Sequence, residues 1–189
     1  GEDGGGIHVA NGANLTAAGS EITDNYASCG GGVYLRDATA SFENCDISHN
    51  TGYVAGGGLD IDNSNTPGAV SFVACLIDSN TSYTFGGGME VYMPGLTLSL
   101  SDCIVSGNHT DFDGGALHLY GYYENETLLG TANVANCRFQ FNSGDRGGAI
   151  HTDCPTAITR SLFVRNYAGV YNSQQEAYGG TVCVDFTGS

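Results

Sequence analysis

Asp60, Glu90, His118 and His151 stand at equivalent places in four successive copies of one short motif, and Asp62 lies two residues beyond Asp60. Carboxylates held beside imidazoles can bind a hard cation such as calcium, or move protons at a glycosidic bond. On that reading Asp60, Asp62, Glu90 and His118 form a candidate catalytic set. Asp60, Asp62 and Glu90 alone form a candidate calcium set. Tyr92 and Tyr120, a little further along their copies, could stack on sugar rings. The bland alternative is strong. Outward positions in a repeat are polar as a rule, titratable residues then fall beside one another by stacking, and the single Arg nearby leaves a lyase base hard to find.

Four cysteines also recur in register: Cys45, Cys75, Cys103 and Cys137, with Ser20 and Ser161 at the same place in the outer copies. Stacked one per turn, their Cα atoms would lie about 4.8 Å apart. That is inside the disulfide range, although parallel Cβ vectors would strain the bridge. Stacked thiols filling the core, vertical disulfides and a thiolate metal ladder are the three readings. The last suffers because four ligands in a line cannot surround zinc tetrahedrally. Cys29, Cys154 and Cys183 lie elsewhere, and seven is odd, so at least one thiol is free or intermolecular.

The elements that must position these residues are set by two repeats. A Gly-Gly step followed by an alternating apolar triplet occurs seven times, from Gly4-Gly5-Gly6-Ile7-His8-Val9 to Gly179-Gly180-Thr181-Val182-Cys183-Val184, at intervals averaging about 29 residues. Between the steps lies a block of a small residue, an apolar residue two later and Asn five later. It is complete in six copies, ending at Asn25, Asn50, Asn80, Asn108, Asn142 and Asn166. Each unit holds two or three short strands with period-two alternation, too few to close a core alone. Coiling the chain so that equivalent strands stack in parallel solves the burial problem. The expected fold is all-β, a parallel β-helix of about six to seven turns, right-handed by the crossover rule. Ile7, Val33, Leu59, Met89, Leu117, Ile150 and Val182 then form one interior column, the Gly pairs mark one corner, and the Asn residues form a hydrogen-bonded ladder at another. A β-propeller would need four strands in every unit, and no outward Thr array suggests ice binding.

Gly-Gly-Ala-(Leu/Ile) at 114–117 and 147–150, with Phe-x-x-Asn at 139–142 and 163–166, resembles the repeats of the chlamydial polymorphic outer-membrane proteins. Ile-x-x-Asn at 22–25, 47–50 and 77–80 extends the likeness along the chain. Similar repeats occur in large secreted proteins of other bacteria and of algae-like eukaryotes. The resemblance implies a surface-exposed, often adhesive β-helical domain. It covers repeats alone and specifies neither a membrane barrel nor a ligand.

Composition bounds the partners. With 20 acids against 5 bases and a formal net charge of -15, the chain cannot neutralise a phosphate backbone, so nucleic acid is excluded. At 41% hydrophobic and 10% aromatic it has enough apolar material for a core, and no apolar run is long enough to insert into a bilayer as a helix. The charge is expected to be spread over solvated outward faces. Acidity, seven Cys and Asn-x-Ser/Thr sequons at Asn14, Asn80, Asn108 and Asn125 favour a secreted or cell-surface setting. Glycans are expected at Asn125 and Asn14, and less at Asn80 and Asn108, which belong to the ladder. Residues 1–189 read as a single β-helix domain, a fragment or a stacking subunit of a longer assembly. Its first copy begins at Gly4 and its last ends at Val184, with no amphipathic helix or polar cap recognisable outside them, although the insertion at 168–178 could instead cover part of the last turn. The expected partners are copies of itself or further β-helix turns at both ends, together with cell-surface glycans or proteins. The expected function is a non-catalytic extracellular structural or adhesive module, stacking head to tail in a surface filament, without a cofactor unless calcium. The competing class is a carbohydrate-active enzyme, a polysaccharide lyase or hydrolase working through the acidic face.

Overall fold

The computed structural model describes residues 3–64, 67–121, 130–169 and 180–184. The chain winds into a parallel solenoid of about six turns whose regular elements are all strands among the described residues. One turn shows the pattern: strands Val33–Arg36, Thr39–Glu43, Asp46–Ser48 and Thr51–Ala55 follow one another, and the next turn opens at Leu59. Equivalent strands pair into a first sheet of seven strands, from Ile7–Ala10 to Val182–Val184, and three further sheets of six. The fourth sheet, from Tyr26–Cys29 to Tyr167–Ala168, goes beyond the two or three strands expected per unit. Its strands are as short as two residues, below the length at which alternation shows in a sequence.

The expected columns are present in register. Ile7, Val33, Leu59, Met89, Leu117, Ile150 and Val182 are successive pairing partners, as are Val9, Leu35, Ile61, Val91, Leu119, Thr152 and Val184. Their interior members are fully buried in the middle turns. Phe42 and Phe72 stack in the second sheet's column with ring centroids 4.9 Å apart and planes 2° from parallel, and Phe139 and Phe163 repeat the arrangement at 4.9 Å in the third. Parallel stacking therefore repeats one side-chain environment at each level, which is why similar residues recur at each column.

Three corners turn on single left-handed residues. The residue before each ladder Asn (Asp24, His49, Ser79, Gly107, Phe141 and Arg165) has φ between 52° and 62°, and a second set, including Asn44, Ala74 and Asp102, does the same before the Cys column. Non-glycine residues adopt this region at a cost of about 1 kcal/mol each, so the ladder bonds must offset it. The Asn ladder does so by saturation. Asn80 Oδ1 accepts from Asn50 N at 2.9 Å and Asn50 Nδ2 at 3.0 Å, while Asn80 Nδ2 donates to Ile47 O at 2.9 Å and to Asn108 Oδ1 at 3.0 Å. At the third corner Gly56 has φ 54°, and a Cβ on Gly57 would sit 2.2 Å from Gly87 O in the next turn. The Gly pair is demanded by close stacking of backbone on backbone.

Cys45, Cys75, Cys103 and Cys137 stack inside the solenoid as buried thiols, and none of these four is joined in a disulfide. The vertical disulfides entertained from spacing are absent. Each ladder thiol instead donates to a carbonyl of its own turn, as Cys103 Sγ does to Ser101 O at 3.2 Å, and three of the four also approach a carbonyl of the turn before. Cys103, between Cys75 and Cys137, has its thiol held up by hydrogen bonding to those two neighbours and by burial.

Candidate functional site

The Gly corner between the fourth and first sheets is the chemically dense part of the molecule. Position by position, the residue just before the Gly pair stacks along the axis: Ala55, Phe85, Asp113 and Arg146 are linked by successive parallel bridges. The first sheet's outward column, just after the corner, runs Tyr34, Asp60, Glu90, His118, His151 and Cys183 in register. The two columns face one another across the corner. Phe85 stacks on the His118 ring at a centroid distance of 5.0 Å, and Asp113 Oδ2 lies 3.8 Å from His151 Nδ1.

This overturns the expectation of a solvated charged face. Asp60, Glu90, Asp113, His118 and His151 are only 4–8% exposed. The physical reason is the sense of the corner: turning the chain there folds the outer faces of two sheets toward each other, so side chains that point away from the core still lose water. Sequence reasoning missed Asp113 and Arg146 altogether. The signal was available, because Asp113 precedes His118 across the Gly pair with the same spacing as Arg146 precedes His151.

The geometry is ordered. His118 and His151 stack with centroids 5.2 Å apart and planes 2° from parallel, and Tyr120 lies against His118 at 5.1 Å. His118 Nδ1 stands 3.6 Å from Glu90 Oε1, too far for a hydrogen bond. Arg146 clasps both oxygens of Asp113, with Nε donating to Oδ1 at 2.8 Å and its terminal nitrogen donating to Oδ2. Burial dominates the electrostatics. It pushes the Glu90 carboxyl up to about 8, with the Asp113 charge adding to the effect. Asp60 is raised well above the usual carboxylate range by burial, then by Glu90 and Asp62. The same desolvation pulls His118 down to about 4, against the pull of Asp113. Further along the corner, burial and then Asp60 push Cys29 and Tyr34 each up to about 12.

Of the residues singled out from the sequence, Asp60, Glu90 and His118 are brought into one line, each the pairing partner of the next. Asp62 lies one outward place along, between Arg36 and Tyr92 in register, and is more exposed. Tyr92 and Tyr120 do neighbour each other, at 5.1 Å. Among the described residues, the group of three metal-binding side chains whose ligand atoms all lie within 4.8 Å of one another is Asp113, His118 and His151. Asn14 is exposed, Asn80 and Asn108 are fully buried, and Asn125 lies outside the described residues. Two surface hollows, one lined by residues such as Ala132, Pro155 and Val184 and the other by residues such as His109, Asp145 and Tyr167, share no lining residue with this cluster.

Fold and corner together define a parallel β-solenoid with one densely functionalised edge. The family model described as a right-handed β-helix region matches residues 5–179, and the chain belongs to that family. No curated protein and no solved structure matches it.

Proposed function

We propose that the chain is a non-catalytic structural and adhesive module of an extracellular or cell-surface assembly, extended along its axis by further β-helix turns or by copies of itself. The observation that carries this is the polarity of the Asn ladder. At one end Asn25 donates through N and Nδ2 to Asn50 Oδ1, and its own Oδ1 accepts no hydrogen bond among the described residues. At the other end Asn166 Oδ1 accepts from Asn142 N and Nδ2, while the Asn166 N–H finds no described acceptor. Among the described residues, an acceptor open at one end and a donor open at the other suit a heterologous interface that repeats without closing.

The core supports the same reading. Ile158 and Val184, which pair in register with the buried Val134 and Thr152, are 36% and 54% exposed. Ile7 and Val9 at the opposite end are only partly buried. Edge strands that expose apolar columns and unpaired backbone groups invite pairing. The adhesive aspect, and the kinship with chlamydial-type surface proteins, rest on the repeat resemblance together with exposed aromatics such as Tyr53 and Tyr83, 5.5 Å apart on the fourth sheet's side. Light scattering after size-exclusion chromatography tests the assembly. The chain is expected to gain mass with concentration, and Ile158→Lys to stay monomeric. A wild-type monomer at every concentration would sink the proposal.

A second reading, a carbohydrate-active enzyme, is favoured by one observation: Asp60, Glu90 and His118 adjoin in register. Assays on acidic polysaccharides with and without calcium, run beside Glu90→Gln, separate the two. Turnover that Glu90→Gln abolishes would make the enzyme reading the better one.

A further inference from the structure

We propose that the Gly corner binds one divalent first-row transition-metal ion, zinc foremost, through Asp113, His118 and His151, with Glu90 placed to take a fourth position. This goes beyond the structural reading above and does not depend on it. Three observations converge. The first is convergence of ligand atoms: one from each of the three residues lies within 4.8 Å of the others. Ligands bound to a tetrahedral zinc ion at about 2.0–2.1 Å lie about 3.3 Å apart. The 3.6 Å from His118 Nδ1 to Glu90 Oε1 and the 3.8 Å from His151 Nδ1 to Asp113 Oδ2 are near that value, so side-chain adjustments of a few tenths of an ångström would close these pairs.

The second observation is unmet polarity. Glu90 Oε2 and His118 Nδ1 are buried and have no hydrogen-bond partner. Their side chains are 7% and 10% exposed. A buried polar atom left unsatisfied costs about 1–3 kcal/mol, more when charged, so two in contact range of each other call for a common partner. A cation is a partner that suits both, because a carboxylate oxygen and an imidazole nitrogen are alike ligands to it.

The third is charge. Asp60 and Glu90 are buried as neighbours in the first sheet's outward column, Asp113 is buried in the column that faces it, and Arg146 is the guanidinium partner of Asp113. Arg146 does not block ligation, because each carboxylate oxygen carries two lone pairs and the clasp uses one of each. A divalent ion beside Glu90 and Asp113 would bring a second source of positive charge to these three acids. The donor set selects the ion. Two imidazoles with carboxylates suit zinc, cobalt or nickel, while calcium takes oxygen ligands almost alone. The acids Asp60, Asp62 and Glu90 would serve calcium, and the site proposed here differs from that set in residues and in metal.

The rigid frame supports specific binding. The paired strands fix the backbones of His118 and His151 on adjacent turns, and because the in-plane lone pairs of stacked imidazoles run parallel, ligation turns one ring out of the stack toward the ion. Asp113 is held by Arg146 on a backbone bridged to both neighbouring turns. A bound ion would tie three successive turns of the solenoid across the corner.

The experiment is titration of the chelator-stripped, thiol-reduced chain with Co²⁺, followed by displacement with Zn²⁺. Expected is one equivalent of Co²⁺ with visible d–d bands far more intense than those of aqueous Co²⁺ and no near-ultraviolet thiolate charge-transfer band, the bands being lost on adding Zn²⁺. His118→Gln and, independently, His151→Gln are expected to weaken binding by at least about tenfold, while Cys103→Ser leaves it unchanged. Imidazole ¹⁵N shifts of two histidines on adding Zn²⁺ report the ligands in the unaltered chain, whatever the variants do to folding. Absence of the d–d bands would overturn the proposal. So would charge-transfer bands that vanish in Cys103→Ser, or Zn²⁺ leaving every imidazole resonance in place.

Discussion

Asn80→Ala is the sharpest test of what holds the turns together. Asn80 is fully buried, and its side chain uses all four hydrogen-bonding capacities, two accepted from Asn50 and one donated to each of Ile47 O and Asn108 Oδ1. Truncation orphans the Asn50 N–H and one Asn50 amide hydrogen and takes one bond from the Ile47 carbonyl, which stays in its strand ladder, whereas Asn108 Oδ1 keeps the Asn80 N–H at 3.0 Å. Two orphans at about 1–3 kcal/mol each and one lost bond at about 1 kcal/mol give roughly 3–7 kcal/mol, of which about 4 kcal/mol is expected after relaxation. The matched control is Asn25→Ala. Asn25 is half-buried, Asn50 Oδ1 retains the Asn25 N–H, and water can replace the bond to Thr23 O, so about 1 kcal/mol is expected. The difference, about 3 kcal/mol, is more than a hundredfold in the folding equilibrium. Urea unfolding read by circular dichroism gives the two values. Hydrogen exchange at the Asn50 amide gives a local check should the solenoid unfold in parts. Equal losses for the two variants, or less than about 1 kcal/mol for Asn80→Ala, would refute the claim that a saturated ladder offsets the left-handed corner residues.

Other consequences are as direct. Gly57→Ala places a Cβ 2.2 Å from Gly87 O and 2.5 Å from Thr81 O, so it should cost more than about 3 kcal/mol or prevent folding, whereas Gly180→Ala, with nothing within 4 Å, should be neutral in the same thermal melt. Thiol counting with Ellman's reagent in guanidinium without reductant should find the four ladder cysteines reactive, Cys45, Cys75, Cys103 and Cys137, and a total count below four would restore the disulfide reading of the ladder. Cys29 is part-exposed yet its thiol is raised to about 12, so the folded state stays protonated and slow to alkylate at pH 8–9; rapid alkylation there would contradict the burial beside Asp60. Expression through a eukaryotic secretory route should glycosylate exposed Asn14 and leave buried Asn80 and Asn108 bare, as peptide mass spectrometry would show.

The solenoid was legible because parallel stacking copies one environment into every turn. Val33, Leu59 and Met89 could be aligned by eye, and so could the six ladder Asn residues. Two things were hidden. The fourth sheet was hidden because strands such as Thr81–Ser82 are shorter than one period of alternation. The corner was hidden because alternation tells inside from outside and says nothing of what covers an outside position. Glu90 and His118 point away from the core as expected and are buried all the same, under residues such as Phe85 and Asp113 from before the Gly pair. Asp113 and Arg146 would have been found by aligning the position before each Gly pair as a column of its own. Asn125 lies outside the described residues, so the glycan expected there rests on the sequon alone.

The most direct test of the central claim is cryo-electron microscopy of the concentrated chain, read for what happens at the junction between copies. An axially extended module predicts continuous rods in which rungs about 4.8 Å apart pass through each junction, with strand Val182–Val184 of one copy against strand Ile7–Ala10 of the next. Isolated single-copy particles, or pairs joined side by side or with like ends together, would contradict it.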